Sequence, residues 1–176
     1  MATPIAMHFL AEGHGVYFDT HCPQVFWRSG ILLPMAGGYD HFIDLDLAYE
    51  KQPKMHVIDA YALEAGVTLE NKKTHLQRLE NIYSEVNKFV VLHAGVSWAS
   101  RTLPHMFWYD LAEILKKKGF TPICVGAGID YKLPNTLNIR DLNIHSLAGL
   151  IQKSKGFIGI DSGSLHVART TETPTV

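Results

Sequence analysis

The sequence predicts an α/β protein built from βαβ units around parallel sheets. Three observations carry that expectation. Short apolar runs of strand length alternate with stretches of helical periodicity. Several of those runs break directly into loops rich in Gly and Ser. Finally, 47% of the 176 residues are hydrophobic against 19% charged, the composition of a soluble globular protein with a sizeable core.

In the first half, residues 4–10 read as a helix, Val16-Tyr17-Phe18 as a strand, and His41-Phe42-Ile43-Asp44-Leu45 as another. Residues 56–65 form a helical pattern closed by Gly66. The polar, charged stretch 70–88 carries Leu76, Leu79 and Ile82 at helical spacing but no long apolar run. The domain boundary is placed there, dividing the chain into residues 1–84 and 85–176.

The second half is more regular. Phe89-Val90-Val91-Leu92 reads as a buried strand and breaks into His93-Ala94-Gly95-Val96-Ser97. After Pro104, apolar residues at Phe107, Leu111, Ile114 and Leu115 mark one helix face. Lys116, Lys117 and Lys118 complement that helix's C-terminus and Gly119 stops it. A second strand, Pro122-Ile123-Cys124-Val125, ends at Gly126-Ala127-Gly128. An extended piece near Leu137-Asn138-Ile139 precedes a helix with Ser146 as N-cap and Leu147, Leu150 and Ile151 facing inward. The strand Gly156-Phe157-Ile158-Gly159-Ile160 runs straight into Asp161-Ser162-Gly163-Ser164-Leu165-His166 and a new helix.

Charge and composition exclude several classes. Sixteen Lys+Arg against 17 Asp+Glu leave no global basic field, so no nucleic-acid partner is expected. The first residues lack a signal peptide's basic and apolar regions, and no stretch approaches the ~20 apolar residues of a membrane span, which places the chain in the cytoplasm. Two cysteines, Cys22 and Cys124, suit a reducing compartment. Gly126-Ala127-Gly128 lacks the third glycine of a dinucleotide fingerprint, and no Walker A sequence occurs. His14, His21 and Cys22 match no zinc spacing, so neither metal nor cofactor is expected.

In open parallel sheets ligands sit beyond the carboxyl ends of the strands. The turn Asp161-Ser162-Gly163 aims backbone N–H groups and the Ser162 and Ser164 hydroxyls at one spot, the chemistry of an anion site. Gly163 admits a ligand close to the backbone, Asp161 accepts from a sugar hydroxyl, and His166 lies one turn on. The same residues also read as mere architecture, with Asp161 or Ser162 capping a helix and His166 packed beneath it. A second anion-friendly loop holds Gly95, Ser97, Ser100 and Arg101, whose planar fork suits phosphate oxygens. Two such loops on one sheet edge fit a diphosphate. Gly159-Ile160-Asp161-Ser162-Gly163 also matches a G-x-D-x-G nucleophile elbow with Asp161 as nucleophile. Only 15 residues follow Asp161, however, and His166, the sole later histidine, is too near in sequence to serve.

Residues 89–176 resemble the nucleotide-sugar-binding domain of glycosyltransferase family 9, the ADP-heptose:lipopolysaccharide heptosyltransferases and their relatives. The resemblance rests on the strand 89–92 with His93-Ala94-Gly95-Val96-Ser97-Trp98-Ala99-Ser100-Arg101, the Gly126-Ala127-Gly128 strand end and Ser146-Leu147-Ala148-Gly149-Leu150-Ile151. Above all it rests on Gly159-Ile160-Asp161-Ser162-Gly163-Ser164-Leu165-His166 leading to Thr173-Pro174. The first half resembles the family through Phe42-Ile43-Asp44-Leu45 and His56-Val57-Ile58-Asp59-Ala60.

The resemblance implies a GT-B fold, two Rossmann-like domains with parallel sheets, both incomplete in this chain. Residues 1–84 would be part of the acceptor-side domain with its linker, and 85–176 part of the donor-binding domain. It implies transfer of a heptose or related sugar from an ADP-sugar to a lipopolysaccharide or other surface-glycan acceptor, without a metal. A full-length enzyme of this kind would act at the inner face of the cytoplasmic membrane in peripheral association with it. Ser97, Ser100, Arg101, Ser162 and Gly163 would hold the donor diphosphate. Asp161 would serve the donor sugar or phosphate region, His166 would complete that loop on the donor sugar/nucleotide side, His145 would flank the base, and Asp130 would reach the ribose. The family often has lysine where Arg101 stands, with tryptophan two positions on; here Thr102 and Leu103 follow. Its general-base aspartate precedes a Thr-Pro pair like Thr3-Pro4, so here it would fall upstream of Met1. A non-catalytic nucleotide-sugar-binding relative is the alternative that the resemblance leaves open.

Overall fold

The computed structural model describes residues 2–31, 38–78, 86–95 and 99–176. The chain forms two compact units, Met1–Gln77 and Arg78–Val176.

The first unit is built from helices. Helix α1 (Thr3–Ala11) starts with Pro4 in its first turn and buries Thr3, Pro4, Ile5 and Ala6. The Thr3 hydroxyl oxygen accepts the His75 backbone N–H at 3.1 Å, tying the unit's end to its start. After the short α2 (Ala48–Lys51), α3 (Val57–Glu64) is capped by His56, whose Nδ1 accepts the Ile58 N–H. Gly66, at φ +68°, closes it. Ile5 packs with Ile58, Ala62 and Leu69, joining α1 to α3.

Both strands expected in this half are absent. Val16 and Phe18 flank only an isolated bridge at Tyr17, and their side chains pack instead around the buried Phe26, with the Phe18 and Phe26 rings 4.5 Å apart. Residues 41–45 are irregular, with Phe42 82% exposed. Turn chemistry overrides the apolar pattern there. The Asp44 carboxylate accepts the Asp46 N–H at 2.9 Å, and Leu47 turns left-handed at φ +60° before α2.

The second unit holds a four-stranded parallel sheet in the order β3-β2-β1-β4, with β1 (Phe89–His93), β2 (Thr121–Gly126), β3 (Leu137–Arg140) and β4 (Phe157–Gly159). Strand β1 is central and every residue in it is buried, as its continuous apolar run requires. The chain steps outward from β1 to β3, then returns to place β4 on the other side of β1. The topological switch point therefore lies between β1 and β4. Beyond β4, Thr175 makes an isolated parallel bridge to Phe157.

Helix α4 (His105–Lys117) covers the sheet with Trp108, Ala112 and Leu115, supported by Leu111, against Val90, Leu92, Cys124 and Ile160. Two residues expected on that face, Phe107 and Ile114, are 46% and 49% exposed. The inward stripe is centred on Trp108, which is the larger of two adjacent aromatics. The helix ends in a Schellman motif, with Gly119 N–H donating to Lys116 C=O and Phe120 N–H to Leu115 C=O. Helix α5 (Ile144–Lys153) begins one turn earlier than Ser146 would set it. Asn143 is the N-cap, and its Oδ1 accepts the Ser146 N–H at 2.9 Å. Leu150 and Ile151 face inward as expected, and Leu147 is half-buried. Helix α6 (Gly163–Ala168) follows β4 directly.

Candidate functional site

The loops leaving β1 and β4 emerge on either side of the switch point, and side chains join them twice. Arg101, in the 3-10 turn Ala99–Arg101, places its guanidinium 3.2 Å from the Asp161 carboxylate. Ser162 Oγ lies 3.2 Å from Nδ1 of His93, the last residue of β1.

Ser162 occupies the N-cap position of α6, yet its side chain makes no capping bond and turns to the His93 ring instead. Asp161 meets Arg101. His166 is exposed on α6 and is not packed beneath it. A Cβ added at Gly163 would meet nothing within 4 Å, so the loop is open above that residue. The Arg101 and Asp161 side chains are 46% and 57% exposed, and a pair so open to water contributes little to stability. Its consequence is orientation: the Arg101 guanidinium is held beside Asp161 at the mouth of the Ser162–Gly163 loop.

His93 had no assigned role in the sequence, although a polar ring closing an apolar strand, two residues before a glycine, is a visible signal. It is 7% exposed. Burial pushes its imidazole pKa below the ordinary value; the Asp130 carboxylate works against that shift and the Arg140 guanidinium adds to it. Its neighbours must be small. A Cβ on Gly95 would stand 2.7 Å from the His93 ring, and one on Gly159 would stand 3.2 Å from His93 Cβ.

The remaining expected residues are spread along the same edge. Asp130 folds its own loop, with Oδ2 accepting the Ala127 N–H at 2.7 Å. Asp141 does the same for Gly128 at 2.8 Å. Arg140 ties the region together by donating to Cys124 C=O, Tyr131 C=O and Asn138 Oδ1. His145 is buried in the first turn of α5. Ser100 is exposed beside Arg101. Ser97 lies outside the described residues. Among the described residues, no cluster of three His, Cys, Asp or Glu could hold a metal ion, and no helix is long and apolar enough to cross a membrane.

Comparison with known proteins sets this geometry in context. The model of glycosyltransferase family 9 (heptosyltransferase) matches residues 45–176. No curated protein matches the chain in sequence. Among solved structures, the chain is similar to the bacterial iron-containing dodecameric glycosyltransferase TibC from enterotoxigenic E. coli H10407, with a TM-score of 0.76 and 16% identity. That alignment covers 98% of this chain and 52% of TibC. A glycosyl transferase family 9 structure from Veillonella parvula DSM 2008 aligns with a TM-score of 0.68 and 14% identity over 99% of this chain and 75% of that one. E. coli heptosyltransferase WaaC with ADP-2-deoxy-2-fluoro heptose aligns with a TM-score of 0.53 and 12% identity, covering 69% of this chain and 44% of WaaC. These neighbours are GT-B glycosyltransferases. The chain spans about half the length of TibC.

Proposed function

Because the chain belongs to glycosyltransferase family 9, we propose that it supplies the donor-binding part of an enzyme that moves a heptose or related sugar from an ADP-sugar to a lipopolysaccharide or other surface-glycan acceptor. The observation that carries this reading is the meeting of Arg101 with Asp161 across the switch point. A diphosphate needs two anion-binding loops on one sheet edge, and these are the two loops that side chains join.

In this reading the diphosphate lies along Ser97, Ser100 and Arg101 on one side and Ser162 and Gly163 on the other. Asp161 and His166 face the donor sugar. His145 flanks the base from the start of α5, and Asp130 reaches the ribose with the carboxylate oxygen that does not hold Ala127. The acceptor hydroxyl attacks the anomeric carbon and forms the new glycosidic C–O bond. The bond from that carbon to the diphosphate oxygen breaks, and the acceptor proton passes to a carboxylate base. Negative charge gathers on the departing diphosphate, where Arg101 and the hydroxyls of the two loops stabilise it. The full-length enzyme works beside the cytoplasmic face of the membrane, where a glycolipid acceptor is presented.

Calorimetric titration of ADP into the chain tests the site. Arg101→Ala removes a charge-assisted contact of about 1.5–3 kcal/mol, and so weakens ADP binding by roughly ten-fold or more. Gly163→Ala places a methyl group in the open space above the loop and weakens binding as well. Tight binding that survives both changes would overturn the assignment.

A further inference from the structure

Among the described residues, His93 is the buried polar ring that joins the two loops, and its surroundings are built around it. Glycines at 95 and 159 leave room for the ring and its Cβ; at either position a methyl group would stand within 3.2 Å of it. The ring is thus held with Nδ1 aimed at Ser162 Oγ. Ser162 in turn forgoes the capping bond that its position on α6 offers.

We infer that His93 is a positioning residue for the donor, holding the Ser162 hydroxyl so that its proton faces the diphosphate and taking up a proton from solvent when the diphosphate seats. This rests on the donor-site reading above. The direction of the hydroxyl proton depends on the imidazole. When Nδ1 carries a proton it donates to Ser162 Oγ, leaving the hydroxyl proton to be donated elsewhere; when Nδ1 is bare it accepts that proton and turns it away from the ligand. In the imidazolium both nitrogens carry protons, so only the ligand-facing arrangement remains. Burial favours the neutral ring, with Asp130 favouring and Arg140 opposing its charge. A diphosphate one hydroxyl away adds negative charge and shifts that balance toward the imidazolium. The same charge then faces the leaving group through Ser162 as the glycosidic bond to the diphosphate breaks.

The test is titration of ADP into the 176-residue chain in two buffers of different ionisation heat, with wild type, His93→Asn and Ser162→Ala. Asparagine keeps a hydrogen-bonding group near the Nδ1 position but does not titrate. Wild type is expected to take up a fraction of a proton more than either variant. Its ADP affinity should also strengthen several-fold relative to His93→Asn between about pH 8 and about pH 6. Titration of ADP itself is common to all three proteins and cancels in the difference. Should His93→Asn fail to give the wild-type circular dichroism spectrum, the comparison with Ser162→Ala decides alone. ADP binding with equal proton uptake in wild type and the folded variants overturns the inference and leaves the donor site standing. Absence of ADP binding by wild type overturns both.

Discussion

Two glycines four residues apart separate packing from binding. At Gly159 a Cβ would sit 2.7 Å from the Phe157 ring, which is fully buried, and 3.2 Å from His93 Cβ. Gly159→Ala therefore overpacks the strand end and is expected to cost about 1–3 kcal/mol, read as a fall in the denaturant midpoint. Gly163→Ala meets no protein atom and should leave that midpoint unchanged while weakening ADP binding. His93 makes the second unit sensitive to acid. Its pKa is lower in the folded chain than in the unfolded one, so below about pH 6.5 the unfolded state binds more protons and stability falls as pH falls. The contribution is fully present above that value and is lost as pH drops through the folded pKa. His93→Asn should flatten this part of a stability-against-pH curve. Arg101, Asp161 and Ser162 could be named as candidates from the sequence because Gly, Ser, Asp and Arg cluster where the strands end. The His93–Ser162 contact was not, since it joins residues 69 apart in the chain and depends on strand order.

At the scale of elements, β1 and β2 could be read directly because a strand buried on both faces is a continuous apolar run, and β4, of which Phe157 alone is buried, from its short apolar run between Gly156 and Asp161. Helix caps were harder. Asn143 and Ser146 are both competent N-caps three residues apart, and the backbone chose the first. Asn143→Ala should cost about 1 kcal/mol, while Ser146→Ala, inside the first turn, should cost little; chemical denaturation of the two variants separates them. The inward face of α4 was displaced because Phe107 and Trp108 are neighbours and each starts an acceptable apolar stripe. Trp108→Ala is expected to cost about 3–5 kcal/mol, with Phe107→Ala close to neutral. The strands expected at 16–18 and 41–45 failed for a related reason. A short β-prone run forms a strand only when a ladder is available, and here aromatic packing and an Asx turn took those residues instead.

At the scale of the molecule, the chain has separate cores, one around Ile5 and Ile58 and another around Leu92, Trp108 and Cys124. Every residue assigned to the donor lies in the second unit, Arg78–Val176. Scanning calorimetry should show two transitions, and ADP should raise only one. At a hundred times its Kd, ADP adds about 2.7 kcal/mol to that unit's stability. The units divide between Gln77 and Arg78, seven residues before the boundary that the polar stretch suggested at 84/85. Of the ten histidines in the sequence, His93 and His145 are the buried ones among the described residues. The ring that touches Ser162 can therefore also serve as a label. Its imidazole resonance, set apart from those of solvent-exposed rings by slow exchange, should move when the neighbouring hydroxyl changes partner. A panel of nucleotide sugars could then be ranked by nuclear magnetic resonance, with neither the acceptor nor turnover required.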